Sequence, residues 1–229
     1  MPVCIVLRCQ VQTTEPDGKG EAAMLRNVLA LLAATLFGIG AASAQEGSAG
    51  AGRVEIGAFP GGGMFFTQSS NGNEPEFGNY AIGASLTVNL NRWIGIEGEG
   101  GGTIGIRQNF SVGPQAFVDQ RSPSMWSYSG NLVVNPGGSD RAVVPYLTGG
   151  IGGLTLCPCN GVDAIGITTY DTYLTGNVGG GVKWFSTRHF GVRGDYRFFM
   201  VKNNATAALF FGNENRYGHR VQAGLVFTY

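Results

Sequence analysis

From residue 53 onward, apolar and polar side chains alternate with a period of two, in eight segments separated by Gly-, Pro-, Asn- and Ser-rich breaks. Strict alternation predicts half-buried β-strands. The first segment spans Arg53–Thr67 and is interrupted at Pro60-Gly61-Gly62-Gly63, where a bulge or kink is expected. The second, Asn79–Leu90, sets Tyr80, Ile82, Ala84, Leu86, Val88 and Leu90 against Ala81, Gly83, Ser85, Thr87 and Asn89. The third, Arg92–Ile106, sets Ile94 and Ile96 against Gly95, Glu97 and Glu99, and the fourth, Met125–Asn135, sets Trp126, Tyr128, Leu132 and Val134 against Ser127, Ser129 and Asn131. Ala142–Leu156 is the fifth. Tyr170–Phe185 is the sixth, with Leu174, Val178, Val182 and Trp184 opposite Thr175, Asn177, Gly179, Gly181 and Lys183. The seventh, Phe190–Val201, places Phe190, Val192, Tyr196 and Phe198 opposite Gly191, Arg193, Asp195 and Arg197. The eighth, Tyr217–Tyr229, stops on an aromatic residue in mid-alternation. No helical period competes with these patterns.

The connections alternate in length. Leu90-Asn91-Arg92, the stretch around 136–140, and Ser186-Thr187-Arg188 are short, whereas 67–79, 107–124, 157–169 and 202–216 are long. Short turns at one end and long loops at the other are the layout of an antiparallel up-and-down barrel in an outer membrane, with the short turns periplasmic. The expected fold class is therefore all-β, an eight-stranded antiparallel transmembrane β-barrel. An even strand number returns both barrel ends to the periplasmic side. Trp184, Phe185, Phe190 and Tyr229 would then form a periplasmic aromatic girdle, and Tyr80, Trp126, Tyr128, Tyr170, Phe198 and Tyr217 an outer one. A soluble lipocalin-like barrel would place apolar side chains inside and polar ones outside. The two girdles and the terminal aromatic argue against it.

Composition agrees with a lipid-facing exterior. Charged residues are 13% of the chain, about half the usual ~25%, and 39 of 229 residues are Gly, well above the typical ~7%. The chain has 15 basic and 15 acidic residues. Removing Arg8, Lys19, Arg26 and Glu15, Asp17, Glu21 with residues 1–44 leaves 12 of each, so the net charge stays zero. Nothing suggests a nucleic-acid surface. Residues 24–44 read as a signal peptide: Arg26, an apolar run of about 15 residues from Val28 to Ala42, and the small-x-small site Ala42-Ser43-Ala44. Residues 1–23, with Cys4 and Cys9, read as an over-extended start, 45–52 as a flexible leader, and 53–229 as the barrel.

The ordered set of Pro145–Gly153, Gly179-Gly180-Gly181-Val182-Lys183-Trp184-Phe185, Phe190-Gly191-Val192-Arg193-Gly194-Asp195-Tyr196-Arg197 and the tail Gln222–Tyr229 resembles the small OmpA/OmpX-type outer-membrane β-barrel family. The resemblance covers about residues 53–229. It implies a bacterial outer-membrane location, a structural or surface-interaction role, and contact with outer-membrane lipids and lipopolysaccharide. It also implies the barrel-assembly machinery as a partner during insertion, with Gln222, Gly224, Phe227 and Tyr229 as the assembly signal. Tyr229 stands where the family commonly has Phe. The peptidoglycan-binding domain that follows the barrel in OmpA is not expected.

Candidate chemistry is sparse. Glu97, Glu99, Arg193, Asp195 and Arg197 fall on the polar parity and would fill the lumen as a structural ion-pair cluster, because unpaired charges there are costly. A narrow gated ion path is the sharper alternative, in a barrel just wide enough for side chains. His219, on the apolar parity, is the one candidate base for a lipid-A-modifying enzyme. It has no accompanying His-x-Ser spacing and reads better as a girdle residue. His189 falls in a turn. Cys157-Pro158-Cys159 lacks enough ligands for a closed zinc site and could form a strained loop disulfide. No catalytic residue, metal or cofactor is expected, and the extracellular ligand of the loops stays unknown.

Overall fold

The computed structural model describes residues 54–67, 76–112, 115–157, 171–202 and 215–229. Among the described residues there are ten strands: β1 Val54–Thr67, β2 Phe77–Asn89, β3 Ile94–Gly105, β4 Arg107–Val112, β5 Gln115–Arg121, β6 Ser124–Val134, β7 Val143–Cys157, β8 Asp171–Phe185, β9 Phe190–Val201 and β10 Arg216–Thr228. Eight of them close an antiparallel barrel in the order β1-β2-β3-β6-β7-β8-β9-β10, and β10 pairs back onto β1. The segments expected to be an early start, a signal peptide and a leader, together with Tyr170 and Cys159, lie outside the described residues.

Each predicted segment lies within a residue or two of a barrel strand at most of its ends, since side-chain alternation is set by the pleat itself. The bulge expected at Pro60–Gly63 is present. The register of β1 shifts between Ala58 and Gly61 against β10, and between Phe59 and Gly63 against β2. The short turns are held by side chains. Asn91 Oδ1 accepts from the backbone N–H of Trp93 and Ile94, at 2.8 and 2.9 Å, and Thr187 Oγ1 accepts from Phe190 N–H at 3.1 Å. These are local turn devices that Asn and Thr supply readily. In the turn after β6, Gly138 takes a φ of 78°, a left-handed conformation that favours glycine.

Two expectations change. Residues 107–124 are more than a loop: β4 and β5 form a separate hairpin between β3 and β6. Their alternation is short and polar-rich, so it carried little periodic signal. Phe185 is not part of the periplasmic girdle. It points inward and is buried with Val144 and Val226, because its odd position shares the inward parity of Lys183. Trp93, Trp184 and Tyr229 remain exposed on the outer surface at that end.

The barrel exterior is apolar, with Leu86, Ile96, Leu132, Leu147, Ile151, Leu174, Val178 and Val221 all exposed. Inward positions form three layers. Val133, Val144, Phe185 and Val226 lie toward the periplasmic end. Charged and amide side chains fill the middle. Phe66, Phe77, Met125, Leu154, Leu156, Tyr173, Phe199 and Val201 are buried toward the extracellular end.

Candidate functional site: the charged lumen

The middle layer is a continuous ion-pair network. Arg193 bonds Glu97 at 2.5 Å and Asp195 at 2.8 Å, and Arg197 bonds Glu97 at 2.6 Å, Glu99 at 2.8 Å and Asp195 at 3.0 Å. Arg220 pairs with Glu99. A separate pair, Lys183 to Glu55 at 2.6 Å, closes the lumen below. All eight side chains are 8% exposed or less. The network and this pair together balance four acids against four bases. Buried charges persist only when paired and hydrogen-bonded, and here neutral side chains add to the bonding. Tyr146 donates its hydroxyl to Asp195 at 2.5 Å and accepts from Arg193 Nε at 2.7 Å. Thr87 and Asn131 donate to Glu97 at 3.2 and 3.3 Å, and Asn89 donates to Glu55 at 2.6 Å.

The charges are sorted by strand. Glu55, Glu97 and Glu99 stand on β1 and β3, whereas Lys183, Arg193, Arg197 and Arg220 stand on β8, β9 and β10. Asp195 is the exception. The inward positions of β6 and β7 carry no ionic side chain. The pairs thus tie the first strands to the last across the lumen, on both sides of the β1–β10 seam. Glycine makes room for the large side chains. A Cβ at Gly181 would lie 2.0 Å from Gly194 O and 2.7 Å from Tyr146 Oη, and one at Gly179 would lie 3.0 Å from Arg197 Cγ.

Glu97, Glu99, Arg193, Asp195 and Arg197, singled out by parity, are thus placed together. Glu55, Lys183, Arg220 and Tyr146 join them. Lys183 and Arg220 lie on the polar parity of their segments, so the same rule would have found them. Glu55 and Tyr146 lie on the first and fifth segments, where Gly- and Pro-containing stretches interrupt the alternation.

In β10, Gln222 faces the lumen, and a Cβ at Gly224 would meet Ala58 O at 2.2 Å. Phe227 packs edge-on against Phe190, with centroids 5.4 Å apart. Tyr229 exchanges backbone hydrogen bonds with Val54, at 2.9 and 3.1 Å, at the seam. His219 faces outward. Its Nδ1 lies 2.8 Å from Tyr196 Oη, and its ring sits edge-on to Phe198. His189, in the turn after β8, lies 3.0 Å from Thr228 O. Cys157 ends β7.

The β4–β5 hairpin is latched to the barrel rim. The Gln108 side chain accepts from Gly78 N–H at 3.1 Å and donates to Gly78 O at 2.8 Å and to Ser122 Oγ at 3.0 Å. Arg121 Nε donates to Gly105 O at 3.0 Å. Asp119 adopts φ 54°, with its N–H bonded to Asn109 Oδ1 at 2.8 Å.

The barrel is similar in fold to Neisserial surface protein A. Sequence identity is 13% and the TM-score 0.53, over 79% of this chain and 99% of that one. The N-terminal β-barrel domain of Pseudomonas aeruginosa OprF aligns at 14% identity and TM-score 0.46, over 78% and 98% of the two chains. Pseudomonas aeruginosa OprG aligns at 11% and 0.46, over 80% and 98%. None of the curated proteins matches the chain. The profile of the outer membrane protein beta-barrel domain matches residues 29–228. With its closed eight-stranded barrel and lipid-facing exterior, the chain belongs to that family and is a protein of the bacterial outer membrane.

Proposed function

We propose that the protein is a filled scaffold of the outer membrane, contributing to envelope integrity and presenting its extracellular segments for surface interactions. The observation that carries this reading is the three-layered lumen. An ionic middle lies between two mainly apolar layers, the upper one enclosing Arg216, and an eight-stranded barrel has little space beyond its own side chains. The latched β4–β5 hairpin supports the surface role, because a rigid scaffold carrying a projecting segment is a common arrangement for binding. Its ligand is extracellular and is not a nucleic acid. Outer-membrane lipids and lipopolysaccharide surround the barrel. The folded protein in a planar lipid bilayer should show no discrete conductance steps. Reproducible steps would replace this reading with a narrow ion-conducting pore. Gene deletion should raise envelope permeability or lower adhesion, and deletion of 107–121 alone should affect only adhesion.

The role is non-catalytic. Outward His219 is bonded to the Tyr196 hydroxyl and flanked by the rings of Tyr196 and Phe198, which supports a girdle residue rather than an acyl-transfer base. His219→Ala should leave the acyl pattern of lipid A unchanged. The terminal strand, with Gln222, Gly224, Phe227 and Tyr229, acts as the signal for the barrel-assembly machinery. Deleting Tyr229 should lower the amount inserted in cells, while Tyr229→Phe, which keeps the ring, should insert normally.

A further inference from the structure

Among the described residues, the outward faces of β1, β2, β3, β6, β7 and β8 carry no charged or imidazole side chain. The outward face of β9 and β10 differs. It carries Tyr196, His219, Phe198, Tyr217, Met200 and, just beyond the end of β9, exposed Lys202. Phe198 stacks on Tyr217 with centroids 5.8 Å apart, and its edge meets His219 at 5.3 Å. Tyr196 Oη lies 2.8 Å from His219 Nδ1. With the phenol donating, the imidazole proton sits on Nε2, and no described residue bonds that nitrogen. Lys202 has no carboxylate within ion-pair distance among the described residues.

The height of this group follows from the register. Phe190 and Phe227 pair at the periplasmic interface, and Phe198 and His219 pair eight residues further along both strands. At ~3.4 Å per residue and a tilt of ~40°, eight residues climb about 21 Å, close to the top of an apolar band ~25 Å tall. His219 and the tyrosine edges therefore sit where the hydrocarbon of the outer leaflet gives way to headgroups. Lys202, about 10 Å higher by the same geometry, stands among the headgroups, and its flexible stem can reach down toward the boundary.

We propose that this face of β9 and β10 is a binding surface for a phosphorylated glycolipid of the outer leaflet, of the lipid-A class. The ammonium of Lys202 and the Nε2–H of His219 would meet phosphate oxygens. The rings of Tyr196, Phe198 and Tyr217 would carry the acyl chains. The occupant is a membrane lipid rather than a free anion, because Lys202 stands above, and His219 level with, outward aromatic rings that only an acylated ligand would cover. Tyr196 acts as a positioning residue: its hydroxyl selects the tautomer that leaves Nε2 as the donor. The inference rests on the outer-membrane location and is independent of the scaffold reading.

The test uses the full barrel, refolded into phosphatidylcholine vesicles containing a tenth part of diphosphoryl lipid A and then re-extracted in mild detergent. Lipid A retained per barrel is measured by mass spectrometry. The unmodified protein should retain lipid A in preference to phosphatidylcholine. His219→Leu combined with Lys202→Gln should lower retention by at least about fivefold, the scale of one lost charge-assisted hydrogen bond. Tyr196→Phe should fall between the two, and excess inorganic phosphate should not displace the lipid. Heat-modifiable gel migration checks folding. Lys202→Gln alone, beyond the apolar band, serves if the double variant does not fold. Equal retention by folded variants and unmodified protein would overturn the proposal. So would retention no greater than that of phosphatidylcholine, or displacement by inorganic phosphate.

Discussion

The middle of the lumen and its extracellular end use the same strands and the same inward parity, but one is an ion-pair network and the other is mainly apolar, with Arg216 lying over the Phe66 ring. On β9, inward Arg193, Asp195 and Arg197 are followed by inward Phe199 and Val201. On β7, inward Tyr146 and Thr148 give way to Leu154 and Leu156. The cause is strand length. A tilted strand needs about 9–11 residues to cross the hydrocarbon, whereas β7 and β8 have 15 each. Within the membrane the outer surface must be apolar, and the narrow interior is filled by charges that pair across it. Toward the extracellular end the excess length encloses a mainly apolar core around Arg216, whose guanidinium donates to Thr67 O at 3.2 Å. Inward polarity thus follows depth as well as parity.

The sharpest way to break that contrast is to remove a charge from the middle. Glu97→Ala strips Arg193 and Arg197 of a shared carboxylate, and leaving a buried charge uncompensated costs about 3–5 kcal/mol. Urea unfolding of the barrel in lipid vesicles should show the loss. At the extracellular end Leu156→Ala should cost about 3 kcal/mol by the same measurement, through a cavity rather than a stranded charge. The two mechanisms separate on compensation. Lys183→Met alone should destabilise by about 3 kcal/mol because it strands Glu55. The double variant Glu55→Met with Lys183→Met should return to within about 1 kcal/mol of the parent, since a buried pair and an apolar pair of similar volume are nearly equivalent. A double variant as unstable as the single one would show that Glu55 and Lys183 are not coupled. The smallest effect should be at Arg107→Ala. Its 2.6 Å pair with Asp119 joins side chains 72% and 65% exposed, so the change should stay below about 1 kcal/mol and should shrink further in high salt.

The strands of the barrel were legible in the sequence because alternation is a local property. Tyr80 to Leu90 and Phe190 to Val201 each state their two faces without reference to any other segment. The short turns were legible for the same reason, through Asn91, Thr187 and Gly138. Parity also picked out Glu97, Glu99, Arg193, Asp195 and Arg197 as one inward set. Parity gives only the face, however, and the partner depends on closure. That Glu55 meets Lys183, 128 residues away, and that Glu99 meets Arg220 follow from β10 pairing with β1. No local pattern encodes that seam. Phe185, which shares the inward parity of Lys183, packs on Val144 and Val226, and only closure of the barrel brings those two side chains to it. The hairpin at 107–121 stands because Gln108 finds Gly78 and Ser122, contacts that exist only once β2, β3 and β6 are neighbours. Local sterics and side-chain polarity wrote the strands and their faces into the chain. Which faces meet across the lumen, and how far the strands rise beyond the membrane, were settled by closure of the barrel, since both depend on groups distant in sequence.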